Sequence, residues 1–125
     1  MNVWDIKSIR FPLSILISTL LIACNCGICS NDVLREVTSP DGKYIVSIFE
    51  RNCGATTPFV RVVSIRSAGN RFNPDAYDDW VFTIHSQSDI NANWVDNSNL
   101  KIYYSGKGDK PTKREHWKEI TISYE

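Results

Sequence analysis

The sequence contains four cysteines, and their spacing is the feature that most directly suggests chemistry. Cys24, Cys26 and Cys29 cluster near the N-terminus, whereas Cys53 stands apart and opens the string Cys-Gly-Ala-Thr-Thr. A thiol can act as a nucleophile, form a disulfide or bind a metal ion, and each role needs suitable partner groups. The partner groups and the cellular compartment therefore decide what these cysteines do.

Catalysis by these thiols is one hypothesis. Cys53 could be a nucleophile with His85 or His116 as its general base, because the chain has only these two histidines. Cys26 and Cys29 form a Cys-x-x-Cys pair, which in redox proteins begins a helix in a βαβ setting that this sequence lacks. A zinc site would need a second close-spaced pair, which is also missing. We predict no catalytic residue, metal or cofactor, and we keep a cysteine-dependent or thiol-redox enzyme as the alternative.

Residues 1–23 are typical of an export signal. Lys7 and Arg10 form a positive region, and residues 11–22 are an uncharged, mostly apolar run of twelve. That run has the length of a signal-peptide core and is too short to span a membrane. It ends in Leu21-Ile22-Ala23-Cys24, which resembles the bacterial lipobox. In lipoproteins with that motif the cysteine receives a diacylglyceryl group and the signal is removed before it, so the resemblance implies that Cys24 is lipidated.

Two other interpretations of this segment stay open. It is an uncleaved anchor if the uncharged stretch continues to Cys29, or an ordinary secretory signal if Cys24 is there by chance. All three interpretations place residues 30–125 on the non-cytoplasmic side of the cell membrane or the outer membrane. We expect a signal peptide over 1–23, a lipidated tether over 24–36 and an all-β domain over 37–125.

Export leads to an oxidising compartment, where Cys53 is expected to form a disulfide. Its partner is Cys26 or Cys29, and we favour Cys29 because it lies nearer the start of the folded sequence. If Cys24 is lipidated, this pairing leaves Cys26 as the cysteine without a partner in the chain.

Runs rich in β-branched and aromatic residues predict the elements that must position these groups. A Ser-Pro-Asp-Gly turn at 39–42 precedes the first run, and the last run alternates apolar and polar residues most regularly. The only helix-like signal is a short turn over 32–36. We expect an all-β fold of about six antiparallel strands in meander order, forming a small sandwich or a curled sheet. The predicted strands are 43–51, 59–65, 80–85, 89–95, 100–104 and 119–125.

The loop over residues 52–59 is the predicted interaction surface. It joins the first two predicted strands and contains Cys53, and we expect Glu50 and Arg51 beside it to order it through a salt bridge. The candidate binding residues are Arg51, Gly54, Thr56, Thr57 and Phe59.

The 14 basic and 14 acidic side chains give zero net charge, which argues against a general nucleic-acid binder. Removal of the signal segment leaves 12 basic and 13 acidic side chains, a net charge of −1. Acidic residues predominate over 73–99 and basic residues over 101–118. The basic loop over 105–118 is either a contact for an anionic surface or a solvated hairpin loop.

Four strings of residues carry resemblances to known proteins. Ser-Pro-Asp-Gly-Lys-Tyr at 39–44, Glu-Arg-Asn-Cys-Gly-Ala-Thr-Thr at 50–57 and Val-Ser-Ile at 63–65 resemble a family of small bacterial membrane-anchored proteins of unknown function. That resemblance implies a disulfide between Cys29 and Cys53 and no particular activity. Residues 39–44 and 94–103 are also similar to strand-turn-strand units of β-propeller blades, but the chain is too short for a propeller.

Together these features predict a bacterial envelope lipoprotein whose domain binds or supports other components without catalysis. Its expected partners are the membrane, through the lipid anchor, and an envelope protein or a cell-wall polymer. Nucleic acid is not an expected partner.

Overall fold

A computed structural model describes residues 28–54, 56–106 and 110–125. Within these residues the secondary structure consists of nine strands and a single 3-10 turn. The strands form two sheets, which confirms the all-β fold class. The signal segment, Cys24 and Cys26 lie outside the described residues.

The nine strands and the turn have the bounds β1 Ser30–Thr38, β2 Tyr44–Asn52, β3 Val60–Ser67, β4 Trp80–Ile84, β5 Ile90–Trp94, β6 Asn99–Tyr104, β7 Thr112–Lys113, β8 His116–Trp117 and β9 Ile120–Tyr124, with the 3-10 turn at Tyr77–Asp79. The first sheet has the strand order β1-β2-β3-β4-β7, and the second has the order β5-β6-β9-β8. The six predicted strands correspond to β2, β3, β4, β5, β6 and β9.

The meander order predicted for the whole domain holds for β1 to β4 and for the pair β5 and β6, in which strands pair antiparallel with their neighbours in the chain. β9 instead pairs with β6 in parallel. Parallel neighbours need a long connection that crosses over. Here that connection contains β7, which pairs with β4, and β8, which pairs with β9. The stretch predicted as a loop over 105–118 therefore joins the two sheets.

β1 is a further correction, because the sequence indicated only a short turn over 32–36 within a tether. The structure has a strand over Ser30–Thr38 that pairs antiparallel with β2. Most of its side chains are exposed, so it lacks the apolar alternation that marks a half-buried strand. Main-chain hydrogen bonds to β2, which need no particular side chains, hold this edge strand in place. The sheet thus begins before residue 37, where the domain was predicted to start.

The main core lies between the two sheets. In β9 the side chains alternate as predicted, with Ile120 and Ile122 buried and Thr121 exposed. Tyr124 continues the inward face and stacks on Phe82 of β4, with ring centroids 5.9 Å apart. The buried side chains of this core are Val46, Ile48, Val63, Ile65, Val81, Phe82, Ile84, Ala92, Leu100, Ile102, Trp117, Ile120 and Ile122.

The first sheet is also covered on its outer face, by the connection between β3 and β4. Phe49 of β2 is fully buried there, with its ring 5.1 Å from that of Phe72 and 6.0 Å from that of Trp80. Val62 pairs with Phe49 across the sheet and is equally buried. β2 is consequently buried on both faces, although its outer face also carries buried Ser47 and Arg51 beside Phe49.

The turn between β1 and β2 forms as the sequence predicted. Gly42 has a φ of +76°, a conformation that favours glycine, and its main-chain N–H donates to the Ser39 carbonyl at 2.9 Å. The Ser39 hydroxyl donates to a carboxylate oxygen of Asp41 at 2.7 Å. Among the described residues, no helix is long and apolar enough to cross a membrane.

Candidate interaction site

A disulfide joins Cys29 and Cys53, with an S–S distance of 2.05 Å. It lies where β1 begins and β2 ends, and it confirms the pairing that the sequence favoured. The bond closes a loop of sequence separation 24 and fixes the start of the edge strand to the predicted interaction loop.

The register of β1 and β2 explains why Cys29 is the partner. Ser30 pairs with Asn52, so the next pair outward along the same antiparallel ladder is Cys29 with Cys53. β1 begins at Ser30 and β2 ends at Asn52, so Cys29 is the cysteine that the register brings beside Cys53.

We call the region around this bond the disulfide end. It comprises residues 28–30, 52–54, 56–60 and 85–88, which lie at the start of β1, the end of β2, the start of β3 and the end of β4. The disulfide end brings together four of the five predicted binding residues, namely Gly54, Thr56, Thr57 and Phe59.

Local hydrogen bonds shape the loop of the disulfide end. The main-chain N–H of Gly54 donates to the Asn52 side-chain oxygen at 3.1 Å. The Thr57 hydroxyl donates to the Gly54 carbonyl at 2.9 Å, and the main-chain N–H of Thr57 donates to the same carbonyl at 3.2 Å. Gly54 has a φ of +139°, which a residue with a side chain rarely adopts. The loop has a defined turn, while Thr56 and Phe59 remain exposed.

A shallow and mostly apolar groove of about 280 Å³ lies beside the disulfide. Its wall includes Thr57, Pro58 and Val60, together with His85 at the end of β4. Two large apolar side chains of the disulfide end are exposed, Ile28 at 68% and Phe59 at 39%. The groove and these side chains make this end an apolar surface beside a covalent cross-link.

Arg51, the fifth predicted binding residue, has a structural role in this arrangement. Its side chain is only 9% exposed, and it forms an ion pair of 2.8 Å with Asp75. It also donates to the Asn31 side-chain oxygen at 3.0 Å and to the Tyr77 hydroxyl at 3.0 Å. The guanidinium thereby ties β1 and β2 to the connection before β4, and little of it is left for an external partner.

The predicted salt bridge between Glu50 and Arg51 does not form. Consecutive residues of a strand point to opposite faces of the sheet, so these two side chains cannot meet. Glu50 instead pairs at 3.0 Å with Arg61, its cross-strand neighbour on β3, and both side chains are mostly buried. Gln87 donates to the same Glu50 oxygen at 3.1 Å, and Arg61 donates to the Ser88 carbonyl at 2.8 Å.

The groups proposed for catalysis are only partly brought together. His85 lines the same groove as Cys53, whereas exposed His116 belongs to β8 in the other sheet. The Cys53 sulfur is bonded to Cys29, so it carries no thiolate that could attack a substrate while this bond is intact. Among the described residues there is also no group of three His, Cys, Asp or Glu side chains that could hold a metal ion.

The basic stretch near the C-terminus is partly engaged in packing. Arg114 donates to the main-chain carbonyls of Asp78 at 2.7 Å and Trp80 at 3.1 Å. Lys113 lies over the Tyr124 ring, 5.3 Å from its centroid. These contacts help β7 to join the first sheet.

The Tyr124 hydroxyl is a partly buried polar group near β7. It donates to the Arg114 carbonyl at 2.6 Å, with the Val81 carbonyl at 3.0 Å. Burial of the phenol raises the pKa of Tyr124 to about 12. The neutral phenol is therefore the form that the fold stabilises.

The opposite end of the sandwich, which we call the turn end, differs in character. It comprises residues 39–43, 95–98 and 118–119, and it carries five charged side chains: Asp41, Lys43, Asp96, Lys118 and Glu119. A hydrogen bond from the Tyr44 hydroxyl lowers the pKa of Glu119 and raises that of Tyr44. In contrast, the disulfide end contains no Asp, Glu, Lys or Arg.

Sequence reasoning missed Ile28 and Val60 as parts of this surface, whereas Pro58 lay within the predicted loop over 52–59. Strand propensity marked Val60 only as a strand residue, and nothing in the local sequence indicates that His85 would lie beside it. The usable signal was limited to the disulfide, because pairing Cys29 with Cys53 aligns the start of β1 with the end of β2, whereas the registers of β3 and β4 align the other two strand ends. No protein-family model matches the chain, and the searches of curated proteins and of solved structures found no match either.

Proposed function

We propose that this chain is an exported bacterial lipoprotein whose all-β domain is a non-catalytic binding domain, anchored through lipid on Cys24. The observation that carries this proposal is the disulfide between Cys29 and Cys53. Disulfides persist in secreted and periplasmic proteins and are rare where thiols are kept reduced. The bond agrees with the export signal and the lipobox, which are independent features of the sequence.

The shape of the disulfide end supports binding rather than catalysis. The exposed side chains around the groove are apolar or neutral, and the sulfur that could serve as a nucleophile is consumed in the cross-link. Arg51 and Glu50, the charged residues beside the loop, are each paired inside the protein. Such a surface offers contact area and hydrogen-bonding groups but no activated acid, base or nucleophile.

The anchor is tested by Cys24→Ser, with Cys26→Ser as the matched control two residues away. The full chain is expressed in a bacterial host, and its membrane retention and mass are measured. We expect Cys24→Ser to lose the acyl mass and leave the membrane fraction after processing, while Cys26→Ser keeps both. Unchanged mass and retention in Cys24→Ser would show that the protein is not a lipoprotein.

A cysteine-dependent enzyme is the second candidate, because His85 lies in the same groove as Cys53. It requires a free thiol in the domain. Thiol labelling of the exported, non-reduced protein should modify Cys26 at most and leave Cys29 and Cys53 unmodified. Stoichiometric labelling of Cys53 in the folded protein would favour the enzyme over the binding domain.

A further inference from the structure

The position of the disulfide limits how the domain can sit relative to a lipid anchor. Only four residues lie between Cys24 and Cys29 in the sequence, so the segment has five Cα–Cα steps. Fully extended, such a segment spans at most about 18 Å. Because Cys29 is covalently bonded to Cys53, an anchor on Cys24 holds both the start of β1 and the interaction loop within this distance of the bilayer surface.

The turn end lies much further from the anchor. Along β1, Val37 is seven residues beyond Ser30, which corresponds to about 23 Å at the usual rise of a strand. The Trp94 indole donates to the Val37 carbonyl at 3.1 Å, so the turn that follows Trp94 lies at this remote end. The two ends of the sandwich therefore differ in their distance from the anchor by more than the tether can span.

The two ends also differ in charge, and the end nearer the anchor is the one without charged side chains. The disulfide end exposes Ile28 and Phe59, carries no Asp, Glu, Lys or Arg, and contains an apolar groove. Residues 25–27, which precede it, are uncharged as well. Of the charged residues next to it, Arg51 at the groove wall pairs with Asp75 at 2.8 Å and Glu50 pairs with Arg61 at 3.0 Å. Asp32 and Asp89 are exposed, and they follow the disulfide end along β1 and after residue 88. The turn end carries five charges and faces away.

We propose that the disulfide end lies on the membrane surface, with Ile28 and Phe59 in the interfacial layer of the bilayer. This inference rests on the proposed anchor at Cys24 and names the lipid surface as the partner of the interaction loop. Apolar side chains at such a layer enter about 5–10 Å into the boundary between headgroups and acyl chains. A surface without Asp, Glu, Lys or Arg loses less hydration there than the turn end, with its five charged side chains, would lose.

The inference is tested by placing a tryptophan at each end of the domain. The lipidated full chain is purified as Phe59→Trp, Ile28→Trp or Val95→Trp and inserted into phosphatidylethanolamine–phosphatidylglycerol vesicles with brominated acyl chains. Val95 is the matched control, because it is 64% exposed and follows Trp94 at the turn end. Emission of the parent protein is subtracted, and thiol labelling checks that each variant keeps its disulfide.

We expect brominated lipid to cause a loss of the added tryptophan emission in Phe59→Trp and Ile28→Trp and no loss in Val95→Trp. Ile28→Trp keeps the test decisive if Phe59→Trp does not fold, because Ile28 precedes β1 and is exposed. Equal quenching at both ends, or no quenching at either, overturns the orientation. Protection of Phe59→Trp by a bound envelope protein instead of lipid also overturns it.

Failure of the anchor gives a different result. In that case the purified chain carries no acyl mass and does not remain with the vesicles, so both the lipoprotein and its orientation are refuted. If the chain is acylated and remains on the vesicles but the tryptophan at position 59 is unquenched, only the orientation is refuted.

Discussion

Replacing both bonded cysteines, in Cys29→Ser/Cys53→Ser, removes the covalent link between the start of β1 and the end of β2. The native strands stay paired through the register that continues from Ser30 and Asn52. The unfolded chain, however, regains the freedom of a loop of sequence separation 24. The double substitution is thus expected to act mainly by stabilising the unfolded state.

The loop length sets the size of the effect. For a closed loop of this length the chain-entropy relation predicts that unfolding becomes easier by about 3 kcal/mol. For a domain of this size, that loss lowers the midpoint of thermal unfolding by roughly 12–24 °C. The free energy of unfolding of a small domain is typically about 5–15 kcal/mol. Since the expected loss is smaller than that, the variant should still fold at room temperature.

The assay is urea and thermal unfolding followed by tryptophan fluorescence, with Cys26→Ser present in every protein so that only one thiol pair varies. The parent in dithiothreitol should match the double variant without it, and dithiothreitol should leave the double variant unchanged. A loss below about 1 kcal/mol in both would refute the reasoning, since loop closure would then contribute little.

Three further predictions follow from buried or hydrogen-bonded polar groups. Arg51→Met should lower the free energy of unfolding by about 2 kcal/mol through lost charged hydrogen bonds, whereas Asp75→Asn should cost less than about 1 kcal/mol because the Asp75 side chain is 64% exposed. Absorbance titration should show Tyr124 ionising near pH 12, and its contribution to stability is present below pH 10 and lost as the pH rises toward 12. The hydrogen bond from Ser39 lowers the pKa of Asp41 below its ordinary value of 3.8. The Asp41 carboxylate therefore stabilises the fold above pH 3.8, and this contribution is lost as the pH falls through the pKa of the folded state. Ser39→Ala should weaken this dependence of stability on acid pH.

Denaturant unfolding at several pH values checks all three. An equal loss in Arg51→Met and Asp75→Asn would mean that the ion pair, and not the whole set of Arg51 contacts, stabilises this region. Ionisation of every tyrosine near pH 10 would contradict the burial of Tyr124. An unchanged difference in stability between pH 7 and pH 3 in Ser39→Ala would contradict the role of Asp41 in the turn.

Local sequence was sufficient for the elements whose side chains alternate between core and solvent. β9 shows this most clearly, since Ile120 and Ile122 are buried and Thr121 is exposed, as the alternation indicates. The turn at 39–42 also follows from local chemistry, because Gly42 adopts the conformation that the turn requires. These features depend on a few neighbouring residues and on one buried face.

The candidate site was predicted in part for the same reason. The string around Cys53 identified the loop, and the partner favoured from the position of Cys29 is the observed one. The salt bridge assigned to Arg51 was wrong, because its partner Asp75 lies 24 residues away in sequence and reaches it only when the connection before β4 folds over the outer face. Because β2 is buried on both faces, its sequence does not alternate between apolar and polar residues. It therefore gives no sign that the connection before β4 covers its outer face.

By itself, the sequence determined the all-β class and six of the strands, which depend on side-chain pattern, and it favoured Cys29 over Cys26 as the partner of Cys53, which the structure then decided. The tertiary structure decided that residues 30–38 form an edge strand, that β9 lies parallel to β6, and that Phe59 and His85 belong to one surface. These features depend on hydrogen bonds between main chains, which any residue except proline can both donate and accept. No local pattern of side chains therefore predicts them. The end of the domain that carries the disulfide is defined only when four distant strand ends are aligned in one sheet.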